Sequence, residues 1–105
     1  LQPVADVAAL AHEHGALIHC DAVQAAGKMA FDFRTLGCDL MSLSAHKIGG
    51  PSGVGALVVT SGVEGDLALI PMLRGGGQER GRRAGTENVP ASPGSAPPPG
   101  RLARA

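Results

Sequence analysis

Hydrophobic positions change their spacing several times along the chain. Val4, Val7, Ala8 and Ala11 fall at i, i+3, i+4 and i+7, which predicts an amphipathic helix over 3–14. Pro3 suits its first turn, and Gly15 suits the position just past its end. Ala16-Leu17-Ile18-His19-Cys20 is a short, nearly continuous apolar run. It predicts a strand buried on both faces, as in a parallel sheet, with Asp21 at its carboxyl end. Ala22 to Gly27 read as a loop or a short turn of helix. Phe31 and Phe33 are expected to pack, and Gly37 to stop a short helical turn. Residues 39–44 predict a second strand, and residues 54–59 a third. Between them lie Ala45-His46-Lys47-Ile48 and the glycine-rich Gly49-Gly50-Pro51-Ser52-Gly53. Residues 60–73 read as a connection with a helical turn near Leu67 to Ile70. Arg74 to Thr86 form a polar, glycine-rich loop carrying Arg74, Arg80, Arg82 and Arg83. From Pro90 the period disappears, and the proline-rich stretch to Gly100 predicts disorder.

Helix, strand, loop, strand, strand is a piece of an α/β layer architecture. The expected organisation is one partial domain over 1–89 and a proline-rich tail over 90–105. At 105 residues the chain holds one domain at most. Its 44% hydrophobic residues suffice for a modest core. That core must be aliphatic, because Trp and Tyr are absent and Phe occurs twice. Nine Lys and Arg balance nine Asp and Glu, so no global charge points to nucleic acid or a membrane surface. No apolar run approaches the ~20 residues of a membrane span. Cys20 and Cys38 form neither a Cys-x-x-Cys pair nor a zinc pattern. With no signal-peptide pattern, the expectation is a cytoplasmic protein with reduced thiols. The first residue is Leu, which leads us to expect a piece of a longer protein.

In open α/β sheets, ligands gather outside the carboxyl ends of the strands. Asp21 and the Ser44–Lys47 segment both follow strands. Burial just past a strand disfavours the charged form of a lysine and frees its amine to attack an aldehyde. A carboxylate at a neighbouring strand end can hold a protonated pyridine nitrogen. A lysine with such an aspartate partner is the pyridoxal-phosphate arrangement. The plainer reading makes Lys47 a solvated loop lysine and Asp21 a strand-end cap. Ser44 and His46 flank Lys47 and can donate to a phosphate, with glycines that let the backbone approach an anion. His46 equally suits a packed, hydrogen-bonded role. The P-loop pattern is absent.

Ser44-Ala45-His46-Lys47-Ile48-Gly49-Gly50-Pro51, followed by Gly53-Val54-Gly55-Ala56-Leu57, resembles the cofactor-lysine signature of cysteine desulfurases. These belong to the class V aminotransferase group of fold-type I pyridoxal-phosphate enzymes. Cys20-Asp21-Ala22-Val23-Gln24-Ala25-Ala26-Gly27-Lys28 resembles the aspartate segment of that family. Arg74 to Val89 resembles its glycine–arginine segment. The three motifs stand in the family's order over about residues 1–90. The resemblance implies a piece of the large domain, a mostly parallel sheet flanked by helices, with pyridoxal 5′-phosphate as cofactor. It implies that Lys47 bonds to the cofactor and then moves the substrate's α-proton. Asp21 would pair with the ring N–H, and Gln24 would hydrogen-bond the phenolic oxygen. Ser44 and His46 would bind the phosphate, and Thr86 would reach a phosphate in the other subunit of a homodimer. The implied reaction removes sulfur from L-cysteine, giving L-alanine and a protein-bound persulfide for iron–sulfur cluster assembly. Its partners would include an iron–sulfur scaffold or other sulfur acceptor.

Other residues receive plainer readings. Cys20 and Cys38 are expected to be core thiols, not the family's sulfur-accepting cysteine, which lies much later in the chain. His12, His14 and His19 lack a metal-ligand pattern, so no metal is expected, and His12 and His14 fall on the helix surface. Lys28 reads as a solvated loop charge. The family's earlier phosphate loop and its stacking histidine have no counterpart here. Nor do its later cysteine loop and carboxylate-binding arginine. The expectation is therefore an inactive fragment of a desulfurase. A frameshift near Val89 would account for the tail, and sequencing across those codons tests it. The alternatives are another class V enzyme, such as a selenocysteine lyase or an aminotransferase, an anion-binding fragment using the four arginines, and a non-functional remnant.

Overall fold

The computed structural model describes residues 2–60 and 69–91. Helix α1 runs Val4–Glu13 and buries Ala8. It ends in paired bonds from Gly15 N–H to His12 O (3.0 Å) and Ala16 N–H to Ala11 O (2.9 Å), the Schellman arrangement that satisfies the last carbonyls. Strand β1 (His19–Asp21) follows, then the one-turn helix α2 (Phe33–Leu36) and strand β2 (Leu40–Ser44). A 3₁₀ turn covers Ala45–Lys47, β3 covers Gly55–Val59, and a second 3₁₀ turn covers Gln78–Gly81. Asp32 starts α2 by accepting the Arg34 N–H at 2.9 Å. Of the turn expected at 67–70, Leu69 and Ile70 are described and carry no helix. The rest of that segment lies outside the described residues, as does the 90–105 tail except Pro90 and Ala91.

The sheet order is β1-β2-β3. β1 and β2 are parallel, with His19 opposite Leu40, Cys20 opposite Met41 and Asp21 opposite Ser42. β3 returns antiparallel to β2, with Gly55 opposite Ser44 and Val59 opposite Leu40. The short glycine-rich link between them allows only that direction, because a parallel return needs a crossover of a dozen or more residues. At Gly55 the strands meet so closely that a Cβ would sit 2.7 Å from the Leu43 carbonyl oxygen. Glycine is required there for β3 to pair up to the end of β2.

The core lies on one face of this sheet. Ala22, Cys38 and Met41 are buried, with Ile18, Cys20, Ala25, Phe31, Phe33, Leu36, Leu43 and Val58 packed around them. Phe31 and Phe33 therefore pack as the pattern predicts. The first strand departs from its expectation. It begins at His19 and is not buried on both faces, since His19 and Asp21 are exposed and only Cys20 turns inward. The alternation arises because the described packing covers a single face. Leu57, opposite Ser42 on the open face, is 50% exposed. No helix among the described residues is long and apolar enough to cross a membrane.

Candidate active site

The parallel pairing of β1 and β2 puts their carboxyl ends side by side. Asp21 is the last residue of β1, and Ser44 the last of β2. Asp21 Oδ1 accepts the Val23 N–H at 3.0 Å, which fixes the carboxylate over the turn that follows. That turn coils back on itself. Ala25 and Ala26 N–H bond to Ala22 O at 3.0 Å, and Lys28 N–H to Ala25 O at 3.0 Å. Within it, Lys28 Nζ donates to Gln24 Oε1 at 2.8 Å.

At the end of β2, Ser44 Oγ and His46 Nδ1 share a hydrogen bond of 2.8 Å. The Ala45 carbonyl accepts from Ile48 N–H (3.0 Å) and Gly50 N–H (2.8 Å), folding 45–50 into a tight loop. Lys47 is half-buried at its centre, whereas His46 is exposed. The two strand-end loops touch. Gly27 adopts φ +73°, and a Cβ there would stand 3.0 Å from Ile48 Cγ2. Asp21, Gln24, Ser44, His46 and Lys47 are thus carried by two neighbouring strand ends and two loops in contact. Thr86 is not gathered with them. It is exposed and lines a separate groove with Leu57, Met72, Arg80, Arg82 and Arg83 on the β3 side. Asn88, two residues on, lies 3.6 Å from the Cβ position of Gly53, so the 86–88 segment borders the glycine loop.

Three residues gain partners that their sequence readings did not include. His19 Nε2 and Ser42 Oγ share a 2.7 Å hydrogen bond on the open face, on the same side of β1 as Asp21. Period-2 alternation was the signal for that shared side. His12 is more than a surface residue of α1. Its Nε2 donates to the buried Asp39 at 2.9 Å, and the same oxygen accepts Ile18 N–H at 2.8 Å. Lys28 is an exposed loop charge, as its sequence reading has it, and its Nζ also donates to Gln24 four residues away. That spacing was visible in the sequence. Cys38 fits the core-thiol reading. Burial, then the neighbouring Cys20, push its thiol above the ordinary value, which keeps it protonated and a poor nucleophile. Among the described residues, no group of three His, Cys, Asp or Glu is placed to hold a metal.

The donor set suits pyridoxal phosphate. A primary amine matches an aldehyde, a carboxylate matches a protonated ring nitrogen, and a hydroxyl with an imidazole matches a phosphate. The sequence matches the family Aminotransferase class-V over residues 1–96. The chain belongs to that family. A cysteine desulfurase of Gluconacetobacter diazotrophicus is 58% identical over 88 residues, covering 84% of this chain and 21% of that protein. One from Rhodobacter capsulatus is 58% identical over 89 residues, covering 85% and 22%. The chain spans about a fifth of the length of these curated relatives. The NifS-like protein of Rickettsia africae superposes with a TM-score of 0.82 at 39% identity, over 90% of this chain and 25% of that one. A structure described as SspA in complex with cysteine gives 0.79 at 40% identity, over 90% and 27%. These superpositions bear out the fold class read from the motifs, although the sheet described here is mixed, with β1–β2 parallel and β2–β3 antiparallel.

Proposed function

We propose that this chain carries the cofactor-lysine segment of a pyridoxal-phosphate-dependent cysteine desulfurase. The observation that carries the reading is the pairing of parallel strands whose adjoining ends present Asp21 and the Ser44–Lys47 loop. When bound, pyridoxal phosphate supplies an aldehyde and a ring that withdraws electrons. The chain's own groups hold and steer. The Asp21 carboxylate accepts the ring N–H and favours the protonated ring. Gln24 donates its amide N–H to the phenolic oxygen. Ser44 and His46, whose side chains share a hydrogen bond, would bind the phosphate. Lys47 Nζ would hold the cofactor's aldehyde carbon and would serve as the base for the substrate's α-proton.

The substrate is read as L-cysteine and the products as L-alanine and sulfur delivered to a protein cysteine. Cys38, buried with a raised pKa, is unsuited to receive it. The whole-length protein is a cytoplasmic homodimer, in which Thr86 reaches the phosphate of the other subunit's cofactor. It hands sulfur to an iron–sulfur scaffold or another acceptor.

The test mixes the purified chain with pyridoxal phosphate and follows the visible absorption of lysine-bound cofactor, with Lys47→Ala alongside. A band in the wild type that is absent from Lys47→Ala supports the reading. Borohydride reduction followed by peptide mapping should then place the label on Lys47. A label distributed over Lys28 and Lys47 alike would remove the special standing of Lys47.

A further inference from the structure

We infer that Lys28 is a positioning residue that orients the Gln24 amide, drawing its oxygen aside so that the NH₂ is the end offered at the cofactor site. The inference rests on the proposed function for the identity of the acceptor, but its geometry is independent of it. Lys28 Nζ lies 2.8 Å from Gln24 Oε1. An ammonium has three donors and no acceptor, so the amide atom facing it must be the oxygen. That settles an orientation which geometry alone leaves open for a glutamine. The pair lies exposed at the surface, and with the oxygen turned to the ammonium the end of the amide directed away from Lys28 is its NH₂.

Local structure holds the pair in place. The turn bonds Ala25 and Ala26 N–H to Ala22 O and sets Gln24 and Lys28 four residues apart along a helical coil. Asp21 pins the start of this turn through the Val23 N–H. Gly27, between the two side chains in sequence, lies against Ile48, whose Cγ2 would be 3.0 Å from a Cβ and would have to give way slightly. The residue beside Ile48 is Lys47. A turn anchored at one end by Asp21 and seated against the Lys47 loop presents an amide whose free end only donates.

The chemistry selects the partner. An amide offered NH₂ first favours an oxygen that carries lone pairs and negative charge over a hydroxyl that must donate. On pyridoxal phosphate this is the deprotonated ring oxygen. The cation behind the amide polarises it and strengthens the donor. Lys28 therefore acts through Gln24 on the charge state of the ring oxygen, without touching the cofactor.

The test uses the whole chain, isotope-labelled, and reads the Gln24 side-chain amide by NMR before any cofactor is added. Lys28→Met should shift the Gln24 amide resonances, and Lys28→Arg, which keeps a cationic donor, should restore them. The Gln2 and Gln78 amides in the same spectra report on folding and should stay in place. A Gln24 amide that is identical in wild type and Lys28→Met overturns the inference. The second readout is binding of pyridoxal phosphate and of its analogue lacking the ring hydroxyl. Lys28→Met should weaken the first by about threefold to tenfold, the size of one polarised hydrogen bond, and leave the second unchanged. Equal weakening of both overturns the positioning role. If the wild-type chain binds neither compound, the proposed function fails, and the amide spectrum still decides whether Lys28 orients Gln24.

Discussion

Gly27 sets how closely the two strand-end loops approach. Its φ of +73° is one that a side chain adopts only at a cost, and its Cβ position lies 3.0 Å from Ile48 Cγ2. Gly27→Ala should destabilise the fold by about 1–2 kcal/mol from the backbone alone, and push Ile48 away from its seat. Denaturant unfolding of Gly27→Ala and of Gly27→Ala with Ile48→Ala separates the two causes. The second substitution removes the contact but not the backbone cost, so only partial recovery is expected. Full recovery would place the whole effect in the contact. This residue also shows what sequence could and could not deliver. Gly27 was readable as part of a loop, and Asp21 and Lys47 as strand-end residues. The contact from Gly27 to Ile48, the pairing of His19 with Ser42 and that of His12 with Asp39 each join residues more than twenty positions apart. No local period carries such information. Lys28 with Gln24 was different, because their four-residue spacing lay in plain view.

The elements are tied together at Asp39. This carboxylate sits just before β2, is 9% exposed, and binds the last turn of α1 through His12 and the entry to β1 through the Ile18 N–H. Burial alone would raise its pKa. The His12 hydrogen bond, the Ile18 N–H and the imidazole's charge outweigh burial and hold it below the ordinary aspartate value. A carboxyl whose pKa is depressed on folding stabilises the fold above its unfolded pKa. That contribution is lost as pH falls through the folded one. Unfolding measured across the acid range should show stability falling below the ordinary carboxylate region, and Asp39→Asn should flatten that part of the profile. His12→Ala removes two of the groups' lowering effects, so the loss should move to higher pH. Asp39→Ala leaves the Ile18 N–H without its acceptor and should cost about 1–3 kcal/mol at neutral pH. A profile unchanged by both His12→Ala and Asp39→Asn would mean that α1 is held by apolar contacts alone. Of these elements, α1 and the three strands were legible from period and punctuation. The antiparallel course of β3 was not in the hydrophobic pattern, which does not encode strand direction, and had to be taken from the shortness of the link before it.

On the scale of the whole chain, the described core occupies one face of a three-stranded sheet, and much apolar surface is left in water. Met72 is 98% exposed, Ile70 74%, Val89 64% and Leu73 60%, and Leu57 adds to them on the open face of β3. Ile70, Met72, Leu73 and Leu57 line one groove. Single exposed apolar residues are ordinary on protein surfaces, but a contiguous cluster marks a surface that gains by being covered. The sheet adds to this, because a strand at its edge leaves backbone donors and acceptors unpaired. The isolated chain should therefore associate with itself in a concentration-dependent way and bind a hydrophobic dye. Ile70→Ser combined with Met72→Ser should reduce both, because these two side chains supply the most exposed part of the cluster and neither belongs to the buried core. Sedimentation over a range of concentrations, with dye fluorescence alongside, measures the effect. Met41→Ala provides the opposite control. It should loosen the core by about 2–5 kcal/mol and increase dye binding, because Met41 is buried at the centre of the sheet. If the double serine variant associates as strongly as the wild type, the association runs through the strand edges, and a charged residue at Leu57 or Val59 becomes the substitution that should disperse it.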